Sequence, residues 1–480
     1  MHKLSRRRFL QDSLALLAVT ALPAPVFASV KVARKQASPN ERIGAAVIGF
    51  NGQGKSHIRQ LLAQPDVDLV ALCDVDEAVW PVGLKIVEDA GRPKPKTYQD
   101  IRKLLEDKDV DVVTIATPNH WHALAAIWAM MAGKDVYVEK PTSHNVWEGR
   151  RTVQIARQLG RICQGGTQIR SSEGIRQAMQ YLHEGKLGKV YLARGLCYKR
   201  RDSIGKVPGP QEPPATVDYD IWLGPAPKKP VMRQRFHYDW HWFWDYGNGD
   251  LGNQGVHQMD IARWGLNKNT LPNKVLGLGG RFGYVDDGET PNTELVFCDY
   301  GDCQLIFEVR GLETPDLKGV KVGNIFYGEK GIMVIPSYSQ AIVFDNDGNK
   351  VTEFSAGGDH MRNFLDAVRS RKHTDLHADI EEGHLSSALC HLGNISYRLG
   401  ELVPFDAEKK AFGDNKEAYE TFARFEEHLA ANNIVLRETK YRLGRELQID
   451  AHHETCGRDS RANRLLTREY RKPYVVPEKV

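Results

Sequence analysis

IGAAVIGFNGQG, residues 43–54, decides the fold. Residues 43–50 form an apolar run without alternation, as a parallel strand buried on both faces requires. Glycines at 49, 52 and 54 then make a tight turn, and KSHIRQLLAQ (55–64) continues as an amphipathic helix. VDLVALCDVD (67–76) reads as the second strand, closing at Asp74. A dinucleotide fingerprint has glycine at its first, third and sixth positions, and here Asn51 takes the third. Asparagine tolerates left-handed backbone, and Gly52 beside it leaves room for a pyrophosphate. Gly49, Asn51, Gly52, Gln53 and Gly54 are therefore the expected phosphate cradle. Asp74, 20 residues beyond Gly54, is placed to accept hydrogen bonds from the adenosine ribose and to repel a 2′-phosphate. No lysine or arginine follows it within ten residues, so NAD is expected rather than NADP.

The alternation of strand and helix runs on to residue 167, predicting an α/β fold with an N-terminal doubly wound parallel sheet over 41–167. Ligands of such sheets bind at the C-terminal ends of the strands, where TPNHWH (117–122) and EKP (139–141) stand. Thr117, Asn119, His122, Glu139 and Lys140 thereby become candidate cofactor contacts. An ammonium at Lys140 can hydrogen-bond a substrate hydroxyl and stabilise alkoxide character. At ~4 Å and an effective dielectric of about 20, such a charge is worth roughly 4 kcal/mol before desolvation.

From 168 to 404 the pattern changes to strand-like runs, several of them alternating apolar and polar, which predicts an α/β domain with a largely antiparallel open sheet. A Pro/Gly-rich loop (199–227) ending in a short helix is a candidate wall of the substrate cleft. It runs toward FHYDWHWFWDY (236–246), whose rings suit the apolar faces of a carbohydrate or polyol. The glycines of GNGDLGNQGVHQMD (247–260) let backbone pass close to cofactor and substrate before a helix opens. His257 falls in the first turn of that helix, where a neutral imidazole can take a hydroxyl proton. Asp260, three residues on, shares its face. Arg170, His241, Trp242, Asn253, His257 and Asp260 are assigned to the substrate side. His237 and His241 lack the spacing of a metal pair, seven scattered cysteines show no CxxC, and no metal is expected. Residues 405–480 are charged and helix-prone and predict a helical extension.

Together the glycine turn, TPNHWH, EKP and GNQGVHQMD resemble the Gfo/Idh/MocA oxidoreductases over about residues 41–405. The resemblance implies NAD as cofactor, Lys140 beside nicotinamide and substrate, and His257 as the histidine of a DxGxH motif. Asn253 stands where that motif has its aspartate, and is grouped with Lys140 and His257 as catalytic. The family's open sheet face often builds oligomer contacts, so a homo-oligomer is expected.

The N-terminus, SRRRFLQ followed by an apolar run ending at Ala28, resembles a twin-arginine export signal (1–28), with a polar linker over 29–40. Use of the export machinery and a periplasmic or otherwise exported location follow as expectations. The run is too short for a stable membrane span. Net charge is +4, of which the first 28 residues supply +3, so nucleic-acid binding is not indicated. The expected activity is NAD-dependent oxidation of a hydroxyl on a sugar, sugar derivative or polyol, with tightly held cofactor. A redox-neutral, NAD-dependent cleavage of glycosides and a non-catalytic carbohydrate-binding role are the alternatives.

Overall fold

The computed structural model describes residues 42–405 and 411–479. The expected export signal (1–28) and linker (29–40) lie outside the described residues. Six parallel strands form the first sheet: β1 (Ile43–Ile48), β2 (Val67–Cys73), β3 (Lys96–Tyr98), β4 (Val112–Ile115), β5 (Asp135–Val138) and β6 (Cys163–Gly165). Their order is β3-β2-β1-β4-β5-β6, the doubly wound order with its switch point between β1 and β4. Every residue of β1 and β4 is buried, which is why β1 reads as an unbroken apolar run and β4 as one interrupted only by Thr114. The expected fold class holds here.

The second sheet contains β7 (Val190–Tyr198), β8 (Lys274–Gly280), β9 (Thr293–Asp299), β10 (Gln304–Arg310), β11 (Val322–Gly328), β12 (Gly331–Ile335), β13 (Gln340–Phe344) and β14 (Lys350–Ser355). It also takes in β15 (Glu401–Pro404), β16 (Lys440–Leu443) and β17 (Leu447–Gln448). All its pairings are antiparallel except β7 with β10, which run parallel at the centre. The helices Gly255–Gly265 and Ile380–Arg398 cover one face, through Met259, Ala262, Leu389 and Leu392.

On the opposite face lies the helix Lys416–Ala431, its Phe422, Phe425 and Leu429 set against Leu192, Leu278, Leu295 and Ile306. Burying each of those three side chains is worth about 2–3 kcal/mol. Part of the face expected to meet a second copy is thus covered by the chain's own helix. The stretch after 404, expected as a helical extension, also supplies β16 and β17 to the sheet. Its end returns to the first domain, where Tyr474 and Val476 are buried beside Trp121 and Trp128. All seven cysteines are buried and free. No helix among the described residues is long and apolar enough to cross a membrane.

Candidate active site

A continuous cleft of about 500 Å³ runs from the glycine turn, past the ends of β1, β4 and β5, to His257. At its outer end the turn after β1 folds so tightly that only glycine fits at two places. Gly49 has φ +78°, and a Cβ on Gly54 would lie 2.0 Å from the Gly49 carbonyl oxygen. At Gly52 the opposite holds: no atom lies within 4 Å of where a Cβ would be, so the space above it is open to a ligand. Asn51, Gly52 and Gln53 line that space, immediately before the N-terminus of the helix Gly54–Leu62, the end of a helix that favours a pyrophosphate. Thr117 Oγ1, also in the cleft wall, is buried without a protein partner. The cradle and this unpaired hydroxyl fit a dinucleotide.

Asp74 closes β2 at the cleft wall. Its carboxylate accepts from Phe50 N (2.9 Å) and Asp76 N (3.1 Å), so it also braces the glycine turn. Burial pushes its pKa up, against the pull of those two N–H donors. Losing hydrogen bonds to a buried charged group costs roughly ten- to hundredfold in affinity. Asp74→Ala is therefore expected to weaken NAD by about that factor and to narrow the gap between NAD and NADP, measured as two dissociation constants. Unchanged NAD affinity would remove Asp74 from the nucleotide site.

Asn119 and His122 begin the helix Asn119–Met131. Asn119 donates to Asn248 Oδ1 (3.1 Å), and the His122 ring nitrogens lie 2.6 Å from Pro141 O and 2.7 Å from Thr117 O. His122 thus ties the TPN segment to EKP. Glu139, just past β5, accepts from His57 Nε2 (3.1 Å), Gln168 Nε2 (2.9 Å) and Lys140 N (3.2 Å). Burial alone would raise the Glu139 carboxyl, but the His57 hydrogen bond and nearby positive charge hold it down at about 2.

Lys140 is half-buried at the cleft, and its Nζ donates to the backbone carbonyl of Asn253 at 2.7 Å. Burial lowers its pKa; Glu139 and Asp250 oppose that, while Lys199 and Arg201 add to it. One turn beyond Asn253, His257 is 5% exposed and its Nδ1 is buried without a protein partner. Burial, and then the Lys140 charge, push its pKa down to about 3, so the imidazole is neutral. Lys140 from the first domain therefore meets Asn253 and His257 from the second, joined by a hydrogen bond.

Of the other substrate-side residues, His241 lines the cleft, stacked on Trp240 with ring centroids 3.7 Å apart. Its Nδ1 donates to Tyr238 O (2.6 Å), and burial lowers its pKa to about 3. Three assignments are corrected. Trp242 is 4% exposed and turned away from the cleft, into a core with Trp222 and Phe243, beneath the Arg201 guanidinium. Arg170 and Asp260 form a buried ion pair (2.8 Å) that also engages Glu382 and Ser386. Three residues turn a helix by about 300°, so Asp260 faces the helix Ile380–Arg398 while His257 faces the cleft. That pair supports the histidine's helix and lies outside the wall of the nucleotide cleft.

Several residues of the site escaped sequence reading. Asp250, 1% exposed, takes a bidentate hold on Arg201 (2.6 and 2.9 Å) and supplies the negative charge near Lys140 that Asn253 lacks. Tyr338, from the turn between β12 and β13, sets its ring 5.1 Å from His257, and its hydroxyl accepts from Gln254 Nε2 (2.9 Å). Asp250 lies within the quoted stretch 247–260, but nothing local says that it meets Arg201; Tyr338 is far from every quoted stretch in sequence. His237 lines the cleft near its outer end. Among the described residues no cluster of metal-binding side chains occurs.

Known proteins resemble this chain in sequence and in fold. A glycosyl hydrolase family 109 protein from Shewanella sp. (strain MR-4) is 33% identical over 182 residues, 34% of this chain and 39% of that one. An alpha-N-acetylgalactosaminidase from Shewanella oneidensis is 34% identical over 179 residues, with the same shares. The chain thus matches well under half the length of these relatives. Among solved structures, the WlbA dehydrogenase from Bordetella pertussis, in complex with NADH and UDP-GlcNAcA, aligns with a TM-score of 0.54 and 18% identity, covering 73% of this chain and 94% of that one. An oxidoreductase domain protein from Kribbella flavida aligns with a TM-score of 0.57 and 19% identity, over 74% and 96%. These share the fold. Residues 43–167 match the family model of the NAD-binding Rossmann fold and residues 189–426 that of the C-terminal α/β domain, so the chain belongs to the Gfo/Idh/MocA oxidoreductase family, with NAD as its cofactor.

Proposed function

We propose that the chain oxidises a secondary hydroxyl of a carbohydrate in the space between Lys140, His257 and the wall of Tyr238, Trp240 and His241. The observation that carries this is the convergence of Lys140 and His257, from different domains, at the inner end of the nucleotide cleft. Bound NAD supplies the two-electron acceptor for the carbon-bound hydrogen. The chain's own residues must hold the sugar, exclude water and remove the hydroxyl proton.

The two candidate bases are unequal. His257 is ready to accept a hydrogen bond, but burial that pushes its pKa to about 3 also makes it a weak proton acceptor. Lys140 starts from a far more basic group, and burial shifts its pKa down. Lys140 Nζ therefore takes the proton, and His257 orients the hydroxyl. Flat rings at Trp240 and Tyr338 suit the apolar face of a pyranose, and His241 Nε2 offers an acceptor to a neighbouring hydroxyl.

A second reading is favoured by the names of the glycosyl hydrolase family 109 relatives. A carbonyl formed two carbons from the glycosidic carbon acidifies the C–H between them; as that proton is removed the linked group departs, water adds to the double bond left behind, and the carbonyl is reduced again. The bond is then cleaved with the nucleotide ending in its starting oxidation state. Export through the signal at 1–28 belongs to the same proposal. Outside the cytoplasm free NAD is scarce, so the nucleotide has to stay bound between turnovers.

A panel of free sugars, uronic acids and aryl glycosides tests these readings. Reduced nicotinamide formed with a sugar supports oxidation, and release of the aryl group without net reduction supports cleavage. Neither signal from a protein that carries NAD leaves carbohydrate binding without catalysis.

A further inference from the structure

The outer end of the cleft is closed by a part of the second domain. Residues 211–223 pass over the ends of β2 and β3, and the contacts are made by backbone and side chain alike. Glu77 N donates to Thr216 O (3.1 Å) and Asp218 N to Val75 O (3.0 Å). Asp76 lies between them, 3% exposed. Its Oδ1 accepts from Thr216 Oγ1 (2.6 Å) and its Oδ2 from His237 Nε2 (2.8 Å). The helix Tyr219–Leu223 that follows is pinned to the first domain by Trp121 Nε1, which donates to Ile221 O and Trp222 O at 3.0 Å, and by His120, 2.9 Å from Trp222 O. Ile221 and Trp222 line the cleft together with Val75, Gln99 and Ile101.

In a doubly wound domain the residues after β2 and β3 are where the adenosine half of a dinucleotide lies, beside the acid that ends β2. Here that acid is Asp74, and two residues later Asp76 is committed to the second domain. We propose that residues 211–223 complete the adenosine subsite and retain the nucleotide, with Asp76 as the post to which Thr216 fastens them and to which His237, from the following aromatic run, is fastened beside them. The nucleotide leaves only when this strap lifts. Because the hydrogen bonds to Asp76 cross between domains and involve a buried carboxylate, they are of the stronger kind. The inference rests on NAD occupying the cleft and is independent of which substrate is oxidised.

The test uses the full chain purified with its nucleotide. Bound NAD is counted after denaturation, and its exchange is followed with radiolabelled NAD in excess. Wild type is expected to pass through gel filtration with close to one NAD per chain. Asp76→Ala, and separately the milder pair Thr216→Val with His237→Gln, are expected to exchange roughly 10- to 100-fold faster, the factor that losing one or two charge-assisted hydrogen bonds implies. Exchange at the wild-type rate in the folded double variant, judged by its melting temperature, overturns the proposal. So does a wild type that sheds its nucleotide on the column as fast as the variants do. Faster exchange in the variants, with no sugar oxidised by any form, leaves the strap standing and removes only the hydroxyl-oxidation reading.

Discussion

Lys140→Ala is expected to lower turnover on the preferred sugar by about 10²- to 10⁴-fold, the range that a positioned proton acceptor supplies. Melting temperature should stay close to wild type, because Nζ makes a single hydrogen bond, to Asn253 O. Lys140→Arg should be nearly as inactive: guanidinium keeps the charge but does not deprotonate near neutral pH. His257→Ala should cost about 10²-fold by loosening the hydroxyl's orientation. The pH profile separates the two roles. A base must be unprotonated, so kcat/KM rises with pH through the pKa of that base. With its conjugate acid at about 3, His257 is neutral throughout the usable range and gives no limb at higher pH. An alkaline-rising limb below the ordinary lysine value belongs to Lys140 and should persist in His257→Ala. A limb that vanishes with His257 instead would return the proton to the histidine.

The second large effect concerns stability. Glu294 on β9 is 2% exposed, its Oε1 has no hydrogen-bond partner, and no ion pair is found for it among the described residues. It stands in register opposite Gly279 on β8 and Val309 on β10. Burial raises its carboxyl from the ordinary 4.5 to about 8. The folded chain therefore holds the proton more tightly than the unfolded chain does. The stabilisation is complete below about pH 4.5 and is lost as pH climbs through about 8. At about 1.4 kcal/mol for each pH unit between those two values, the loss is on the order of 5 kcal/mol across that window. Glu294→Gln, neutral at every pH, should gain on wild type steadily as pH rises through that window in urea unfolding, and be the more stable at its alkaline end. Parallel pH curves for the two proteins would mean that Glu294 is not held protonated.

Legibility followed the range of the interactions. The glycine turn and strand ends could be read because their constraints are local: Gly54 is forced by the Gly49 carbonyl five residues away, and β1 is apolar because both faces are covered. Lys140 and His257 were visible as ends of regular elements, a strand and a helix. Asp260 is misplaced by sequence alone because a helical spacing sets residues on neighbouring faces without saying what each face meets. Asp260 met Arg170, 90 residues earlier in the chain. Trp242 sits in the same aromatic run as Trp240, yet one ring enters the core beneath Arg201 and the other lines the cleft. Asp250, Tyr338 and the Asp76–His237 pair are partners chosen by tertiary packing. Asp76 and His237 lie 161 residues apart and nothing in either neighbourhood announces the other. The tail's helix is legible in its sequence, whereas β16 and β17 are not, because they are short and pair with the distant β8.

The central claim is that hydroxyl oxidation occurs between Lys140 and His257 on nucleotide the chain already holds. Its most direct test is a single turnover without added NAD. Protein purified with its bound nucleotide is mixed rapidly with a reactive sugar or glycoside from the panel, and absorbance at the reduced-nicotinamide band is followed. A transient or lasting rise of up to one equivalent per chain is predicted, slowed when the carbinol hydrogen is replaced by deuterium and slowed by about 10²- to 10⁴-fold in Lys140→Ala. Turnover of the sugar or glycoside with no such absorbance and no deuterium effect would contradict the account.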